Sequence, residues 1–157
     1  MLEANNPARL IFLTNRVGRQ LARYCLPNLE VDGFSPQPTH LGILADLTVR
    51  DGQRQQDLAV SGIIDKATVT RSIQQLLGLG YINRVKDTVD RRQKIITITD
   101  KGRSMWQRTE QHMSDVMPEV TAGISQKKLT VCLEVLSEIY QTMSTKVGET
   151  PEIKEHA

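Results

Sequence analysis

The sequence predicts a mainly α-helical fold with a small β-hairpin, in which a winged helix-turn-helix is flanked by helices at both ends. Apolar residues recur at helical spacing near both termini, and a tight glycine-containing connection separates two central helical segments. Two short runs of β-branched residues follow these segments. We expect the 157 residues to form one domain, with the winged lobe at 36–98 between helical regions at 8–34 and 99–147.

The first two helices precede the helix-turn-helix. The first is predicted at 8–31, because apolar residues recur every three or four positions from Leu10 to Tyr24. Prolines and hydroxyl side chains then break the chain, and a second apolar stripe occupies 40–49. The turn sequence at 51–52 ends this second helix.

The helix-turn-helix is predicted as a short helix at 55–61, a connection at 62–64 and a second helix at 66–79. Asp65 directly precedes the second helix, where its carboxylate can accept hydrogen bonds from the first turn. Gly80 allows the chain to leave this helix in a left-handed conformation.

A hairpin and two long helices complete the chain. The predicted strands are 81–85 and 94–98, and a charged loop of eight residues separates them. Thr99 is in position to cap the next helix, and Pro118 is expected to kink it or end it early. Ser125 is predicted to cap the last helix.

Positive charge is concentrated in one segment. Residues 66–103 contain nine basic and three acidic side chains, a net charge of +6, whereas the remaining residues sum to −4. Such clustering indicates a polyanionic partner, and a solvated basic face explains the charge equally well. Only 4% of residues are aromatic, which argues against the base-stacking surfaces of single-strand binders.

Composition and motifs exclude several classes of protein. No apolar run approaches the roughly 18 to 20 residues that span a bilayer, and no secretion signal is present, so a cytoplasmic protein is expected. Neither Cys25 and Cys132 nor the three histidines have metal-binding spacing. Because we find no nucleophile and base arrangement and no phosphate-binding loop, we expect no enzyme, cofactor or metal site.

The second helix of the helix-turn-helix has two chemically different faces. Val69, Ile73 and Leu76 fall on one side and predict its buried stripe. The other side offers small, hydroxyl, amide and cationic groups that fit a major groove, namely Lys66, Ala67, Thr68, Thr70, Arg71 and Gln74. Arg71 suits guanine and Gln74 suits adenine. An ordinary solvated helix face is the alternative.

The hairpin loop is a second candidate DNA contact. Asp90 can hold one guanidinium of Arg91 and Arg92 while the other reaches outward, and an extended arginine suits a narrow minor groove. The strands and the loop base add three cations that are expected near phosphates, namely Arg84, Lys86 and Lys94. A loop charged only for solubility is the alternative.

Residues 58–102 resemble the MarR family of bacterial transcription regulators. Four linked segments match that family in type and spacing, namely 65–71, 80–84, 90–92 and 99–102. The resemblance implies a twofold homodimer, held by the first helix and the last two, that lays one helix of each subunit in a major groove. It also implies a repressor that a small aromatic or phenolic ligand, or oxidation, releases from DNA. Dimerisation follows independently, since three long amphipathic terminal helices exceed what one small winged domain covers.

Two positions depart from the family pattern. Gly62-Ile63 moves the usual glycine one place earlier, which predicts a different turn between the two helices. Arg54 stands where a Ser or Thr usually caps the short helix.

The resemblance places an effector site between the dimer helices and the DNA-binding lobe, where the polar candidates are Arg16, Arg23, Tyr24 and His40. An arginine there pairs with a carboxylate ligand, and the alternative is that these side chains bond to neighbouring helices or face solvent. Oxidation sensing by Cys25 is disfavoured, because its context differs from that of the peroxide-sensing branch.

The predicted function is sequence-specific regulation on double-stranded DNA. A winged-helix module that docks an acidic protein is the alternative.

Overall fold

A computed structural model describes residues 6–58, 65–86 and 94–147. The helices and strands of the described residues are, in order, α1 Ala8–Cys25, α2 Pro38–Val49, β1 Gln53–Arg54, α3 Gln55–Leu58, α4 Lys66–Gly78, β2 Ile82–Lys86, β3 Lys94–Ile98, α5 Asp100–Val120 and α6 Gln126–Val147. The predicted fold class, mainly α with a small β-hairpin, is confirmed. Two compact units divide the chain, one up to Ser114 and one from Asp115.

Helix α1 is shorter than predicted. It ends at Cys25, so the expected end at residue 31 is wrong. Pro27 has no N–H group to continue the helical hydrogen-bond ladder, and the last bond runs from the N–H of Leu26 to the carbonyl of Ala22. Large apolar side chains along α1 are exposed to solvent, namely Leu10, Ile11, Phe12, Leu13 and Val17. Within this chain, α1 therefore keeps much of its apolar surface in water.

The hydrophobic core lies among α2, α4, the sheet and the start of α5. Its most deeply buried side chains are Leu44 and Leu47 of α2, Ile73 and Leu76 of α4, Tyr81 before β2, Ile82 and Ile96 of the sheet, and Met105 of α5. Burying one such side chain contributes about 1.5–3 kcal/mol, so this core is the main stabilising element of the winged lobe. The buried stripe predicted for α4 is confirmed, since Val69 is buried together with Ile73 and Leu76.

The sheet contains the predicted hairpin and one further strand. β2 and β3 pair antiparallel along their whole length, and residues 87–93 between them lie outside the described part of the chain. β1 pairs antiparallel with β3, which gives the strand order β1-β3-β2. The sequence did not predict β1, because a strand of two residues is too short to show alternation.

A glycine ends α4 as predicted. Gly80 has a φ of +75°, a conformation that costs glycine little because it has no Cβ. Its N–H bonds to the carbonyl of Leu77 at 3.1 Å, and the N–H of Tyr81 bonds to the carbonyl of Leu76 at 2.9 Å. This pair of bonds is a Schellman motif, which turns the chain from α4 directly into β2.

The first turn of α5 holds the chain beyond α4. The Thr99 hydroxyl lies 2.8 Å from the carbonyl oxygen of Gly80 and 2.9 Å from that of Tyr81, which also accepts the Thr99 N–H at 3.1 Å. Lys101 donates from Nζ to the carbonyl of Leu79 at 2.9 Å and lies 4.6 Å from the centre of the Tyr81 ring. We call these contacts of Thr99 and Lys101 with residues 79–81 the carbonyl clasp.

Two further features fix the start of α5. Thr99 Oγ1 accepts the N–H of Gly102 at 3.0 Å, which confirms that Thr99 caps this helix. Gly102 is buried, and a Cβ added there would overlap the carbonyl oxygen of Tyr81 and lie 2.7 Å from Cγ1 of Ile98. Gly102 ends the fourth segment that resembles the family, 99–102, and close packing explains why a glycine is present there in this chain.

The second unit contains the end of α5 and all of α6. Pro118 lies inside α5, which continues past it and ends two residues later at Val120. α6 begins directly after Ser125, as predicted. Its exposed apolar side chains are Val131, Leu133, Val135, Leu136, Tyr140 and Met143. Within the described part of the chain, none of the helices combines the length and apolarity that a membrane span requires.

Candidate nucleic-acid interface

The N-terminus of α4 is fixed by Asp65. Its Oδ1 accepts the N–H of Thr68 at 2.9 Å, and its Oδ2 accepts the Thr68 hydroxyl at 2.6 Å. The predicted cap is therefore confirmed. These hydrogen bonds stabilise the charged carboxylate and lower the pKa of Asp65, with the Thr68 hydroxyl as the main cause. The first turn of α4 is thus ordered before any partner binds.

The face of α4 opposite the core is polar and open to solvent. Five of the six predicted contact residues on this helix are exposed, namely Lys66, Ala67, Thr70, Arg71 and Gln74, and Thr68 is half-buried by its bonds to Asp65. The predicted division of α4 into a buried and an exposed face is confirmed. Contact of this face with bases remains a prediction.

Arg71 lies along its own helix in the free chain. Its Nε donates to the carbonyl of Ala67 and its Nη2 donates to Oγ1 of Thr68, both at 3.3 Å. These bonds are longer than the common 2.9–3.0 Å of N–H donors, and they are exposed to water. Replacing these two bonds by bonds to a base edge or a phosphate therefore costs little free energy.

Gln55, at the start of α3, connects α4 with the hairpin. Its Nε2 donates to Oγ1 of Thr70, and its Oε1 accepts from Nη2 of Arg84, both at 3.3 Å. Arg84 Nε is buried, and no partner for it is found among the described residues. Nothing in the sequence points to Gln55, because no periodicity or motif marks its bonds to residues that lie 15 and 29 positions away.

Two cations meet at the base of the hairpin loop. Lys86 and Lys94 are opposite each other at the ends of β2 and β3, and both are exposed. Like charges directly opposite each other repel, so this pair favours a nearby anion. The predicted loop contacts at 90–92 and the unusual turn at 62–63 lie outside the described residues.

His40 joins α2 to α4 from the core side. Its Nδ1 accepts the N–H of Gln37 at 2.9 Å, so Nε2 carries the proton and donates to Oε1 of Gln75 at 2.8 Å. The ring also packs against Phe34, with centroids 5.2 Å apart. Burial lowers the pKa of His40, and the Gln75 bond opposes this effect only in part. Both ring nitrogens thus have partners within the protein, which gives His40 a role in positioning α4.

Two clefts lined entirely by described residues each contain one of the four predicted effector residues. Arg23 lines a cleft of about 390 Å³ between the end of α1 and the start of α2. His40 instead borders a cleft of about 460 Å³ beside α4. Arg16 is exposed with its guanidinium 4.8 Å from the centre of the Phe12 ring, and Tyr24 is also exposed. Arg23 thus combines an exposed cation with a cleft that includes apolar lining.

One departure from the family pattern lies directly before the short helix α3. Arg54 belongs to β1 and is exposed, and α3 begins at the next residue. Cys25, whose oxidation was disfavoured on sequence grounds, is buried at the end of α1. Its carbonyl oxygen lies 2.7 Å from Nε2 of His112.

Comparisons with known proteins agree with this architecture. The model of the MarR family matches residues 37–94, which begin just before α2 and end at the start of β3. The HTH-type transcriptional regulator YdgJ of Bacillus subtilis (strain 168) is 27% identical over an alignment of 149 residues, and the match covers 83% of this chain and 90% of YdgJ.

Solved structures share the fold at lower identity. The transcriptional regulator BldR of Sulfolobus solfataricus has a TM-score of 0.74 at 19% identity, and the match covers 90% of this chain and 99% of BldR. BpsR of Bordetella bronchiseptica, whose DNA binding is regulated by 6-hydroxynicotinic acid, has a TM-score of 0.67 at 17% identity and covers 84% and 98% of the two chains.

Proposed function

We propose that this chain is a transcription regulator of the MarR family, which it resembles over residues 37–94, and that it acts in the cytoplasm as a homodimeric repressor on a pseudo-palindromic operator in double-stranded DNA. The observation that carries the proposal is the exposed polar face of α4, which is capped, ordered and flanked by the cationic base of the hairpin. A helix of this composition fits a major groove, and cations on the adjacent strands fit the neighbouring phosphates.

Each part of the interface has a proposed partner on the duplex. Arg71 and Gln74 read base edges in the major groove, while Lys86 and Lys94 contact phosphates. The arginines at 91–92 enter the minor groove, next to Asp90. With two copies of α4 in successive major grooves, the half-sites are about 10 base pairs apart.

Selection of bound fragments from a random duplex library, at physiological salt, tests the proposed function. An enriched inverted repeat with this half-site spacing supports it. If no sequence is enriched and an acidic protein competes for the same surface, the winged lobe is a protein-interaction module instead.

Arg71 variants test base reading on the selected operator. Arg71→Ala is expected to weaken operator binding about 5- to 150-fold, the range for losing one bidentate base contact. Arg71→Lys keeps the charge, so it should lose affinity for the operator and retain the dependence on salt. Lys128→Ala on α6 is the control and should bind like the wild type. Equal losses on operator and random duplex for Arg71→Lys would refute base reading.

Homodimerisation is supported by the apolar surfaces of α1 and α6. Leu133 of α6 is 65% exposed and Ile11 of α1 is 68% exposed, values that a soluble monomer rarely tolerates along whole helices. Sedimentation equilibrium should give twice the mass of the chain. Leu133→Glu should shift the population toward monomers and weaken operator binding, whereas the adjacent Glu134→Gln should change neither. A wild-type monomer at operator-binding concentrations would refute the dimer.

Ligand responsiveness is proposed for the cleft that Arg23 lines. The guanidinium can pair with a carboxylate, and the neighbouring Leu26 and Pro27 offer apolar contact to an aromatic ring. We expect benzoate and 6-hydroxynicotinic acid, as probes, to weaken operator binding by the wild type and not by Arg23→Gln. An equal response in both proteins would exclude this cleft as the effector site.

A further inference from the structure

We propose that Gln55 is a positioning residue for DNA binding, which aligns the hydroxyl of Thr70 and the guanidinium of Arg84 as a joint clamp for one backbone phosphate. This inference rests on the proposed function, because it needs a duplex on the α4 face. It starts from the position of the Gln55 amide, which bonds to α4 through one end and to β2 through the other.

The amide fixes the direction of the Thr70 hydroxyl. A hydroxyl group has one hydrogen to donate and two lone pairs to accept. Gln55 Nε2 donates to one of the lone pairs at 3.3 Å, so the hydroxyl hydrogen is directed away from Gln55. Thr70 is exposed, and its hydroxyl is therefore prepared to donate to an acceptor on a bound partner.

The other end of the amide fixes the side chain of Arg84. Gln55 Oε1 accepts from Nη2 of Arg84 at 3.3 Å and leaves Nη1 and the second hydrogen of Nη2 for other acceptors. The bond ties a charged donor on β2 to the same side chain that holds Thr70. One amide group therefore contacts both the Thr70 hydroxyl and the Arg84 guanidinium.

A phosphate group matches this pair of donors. Its two non-bridging oxygens accept hydrogen bonds and carry the negative charge that a guanidinium prefers. A base edge would match this pair of donors less well, because Arg84 is half-buried and belongs to β2 and not to α4. Gln55 therefore links reading by α4 to anchoring by β2, without itself contacting the DNA.

Gln55→Met tests the proposal, because methionine is similar in length and has neither an amide donor nor an amide acceptor. The matched control is Gln56→Met, since Gln56 is the exposed neighbour on the same short helix. We expect Gln55→Met to weaken binding to the selected operator and to random duplex by a similar factor, about 3- to 10-fold, as for the loss of one or two modest hydrogen bonds. Gln56→Met should stay within twofold of the wild type, and both variants should unfold within a few degrees of it.

A second experiment separates positioning from general stability. In a Thr70→Val, Arg84→Ala background the clamp is absent, so Gln55→Met should cause no further loss of affinity. A further loss of the same size would mean that Gln55 acts elsewhere and would overturn the inference. If Gln55→Met fails to fold, Gln55→Glu takes its place. Its carboxylate neutralises Arg84 and should weaken binding to both duplexes most strongly at low salt, and an unchanged affinity would equally overturn the inference.

The outcomes distinguish this inference from the proposed function. If the wild type selects an operator and Gln55→Met binds it equally well, only the role of Gln55 is refuted. If Gln55→Met loses affinity for the operator alone, Gln55 supports base reading and the phosphate clamp is wrong. If the wild type prefers no duplex sequence over random DNA, and binds neither selected fragments nor random duplex appreciably, both proposals fail together.

Discussion

Gly102 is the position where a single added carbon is expected to disturb the fold most. In Gly102→Ala, the new Cβ would overlap the carbonyl oxygen of Tyr81 and lie 2.7 Å from Cγ1 of Ile98. The Tyr81 carbonyl cannot move away freely, because it accepts hydrogen bonds from the N–H and the hydroxyl of Thr99. The start of α5 must therefore shift, which lengthens the hydrogen bonds of the carbonyl clasp.

The magnitude follows from two opposing effects. Overpacking of a buried position costs about 1–3 kcal/mol, and weakening one hydrogen bond of the clasp adds about 1 kcal/mol. Alanine is a better helix former than glycine by up to about 1 kcal/mol, which offsets part of this cost. We expect a net loss of about 2 kcal/mol in the free energy of unfolding, or about 4–8 °C in Tm for a chain of this size.

Thermal unfolding followed by circular dichroism, at one fixed protein concentration, measures this effect. Gly42→Ala is the matched control, because Gly42 lies inside α2 and an added Cβ there meets no atom within 4 Å. It should raise Tm by a few degrees through helix propensity alone. If Gly102→Ala and Gly42→Ala raise Tm alike, the close approach of α5 to Tyr81 is absent and the reasoning fails.

Two further predictions concern titration and the link between α2 and the sheet. Burial lowers the pKa of His40 in the folded chain, so below about pH 6.5 the unfolded chain binds the proton first and stability falls as pH decreases toward the folded pKa. Urea unfolding between pH 7.5 and 5 should show this loss, and His40→Gln should flatten it; equal slopes in both proteins would contradict the assignment. Asp51 Oδ1 accepts the N–H of Ile98 at 2.9 Å, and Oδ2 forms an exposed ion pair with Arg103 at 2.8 Å. Asp51→Asn should cost less than about 1 kcal/mol, because only the exposed ion pair is lost. Asp51→Ala should cost about 1–3 kcal/mol by leaving the Ile98 N–H unpaired, and equal Tm values for the two variants would argue against that bond.

Local patterns predicted most of the winged lobe correctly. The stripe of Val69, Ile73 and Leu76, the Asp65 cap and the Thr99 cap depend on residues within one or two helical turns, so the sequence displays them directly. The hairpin was equally visible from its β-branched runs. Family resemblance added the order of the segments, and the match at residues 37–94 agrees with it.

Local sequence patterns could not predict contacts between residues that are far apart in the chain. Pro27 gave a local signal for the end of α1 that the apolar periodicity outweighed, so the predicted helix was too long. His40 was expected near an effector, yet its partners Gln37 and Gln75 occupy both ring nitrogens. The bonds of Gln55 to α4 and β2 likewise depend on the packed fold, because amides carry no periodic signal.

The carbonyl clasp has a consequence for where a folding unit can be cut. The family-matched segment 37–94 stops before the buried Ile98 and before Thr99 and Lys101, which occupy the carbonyls that follow α4. A fragment ending at residue 94 would lose nearly all of β3 and expose those carbonyls, together with the core face that Met105 covers. The stretch that sequence comparison delimits therefore lacks part of its own support, and during synthesis α4 reaches its final packing only after the first turns of α5 have left the ribosome.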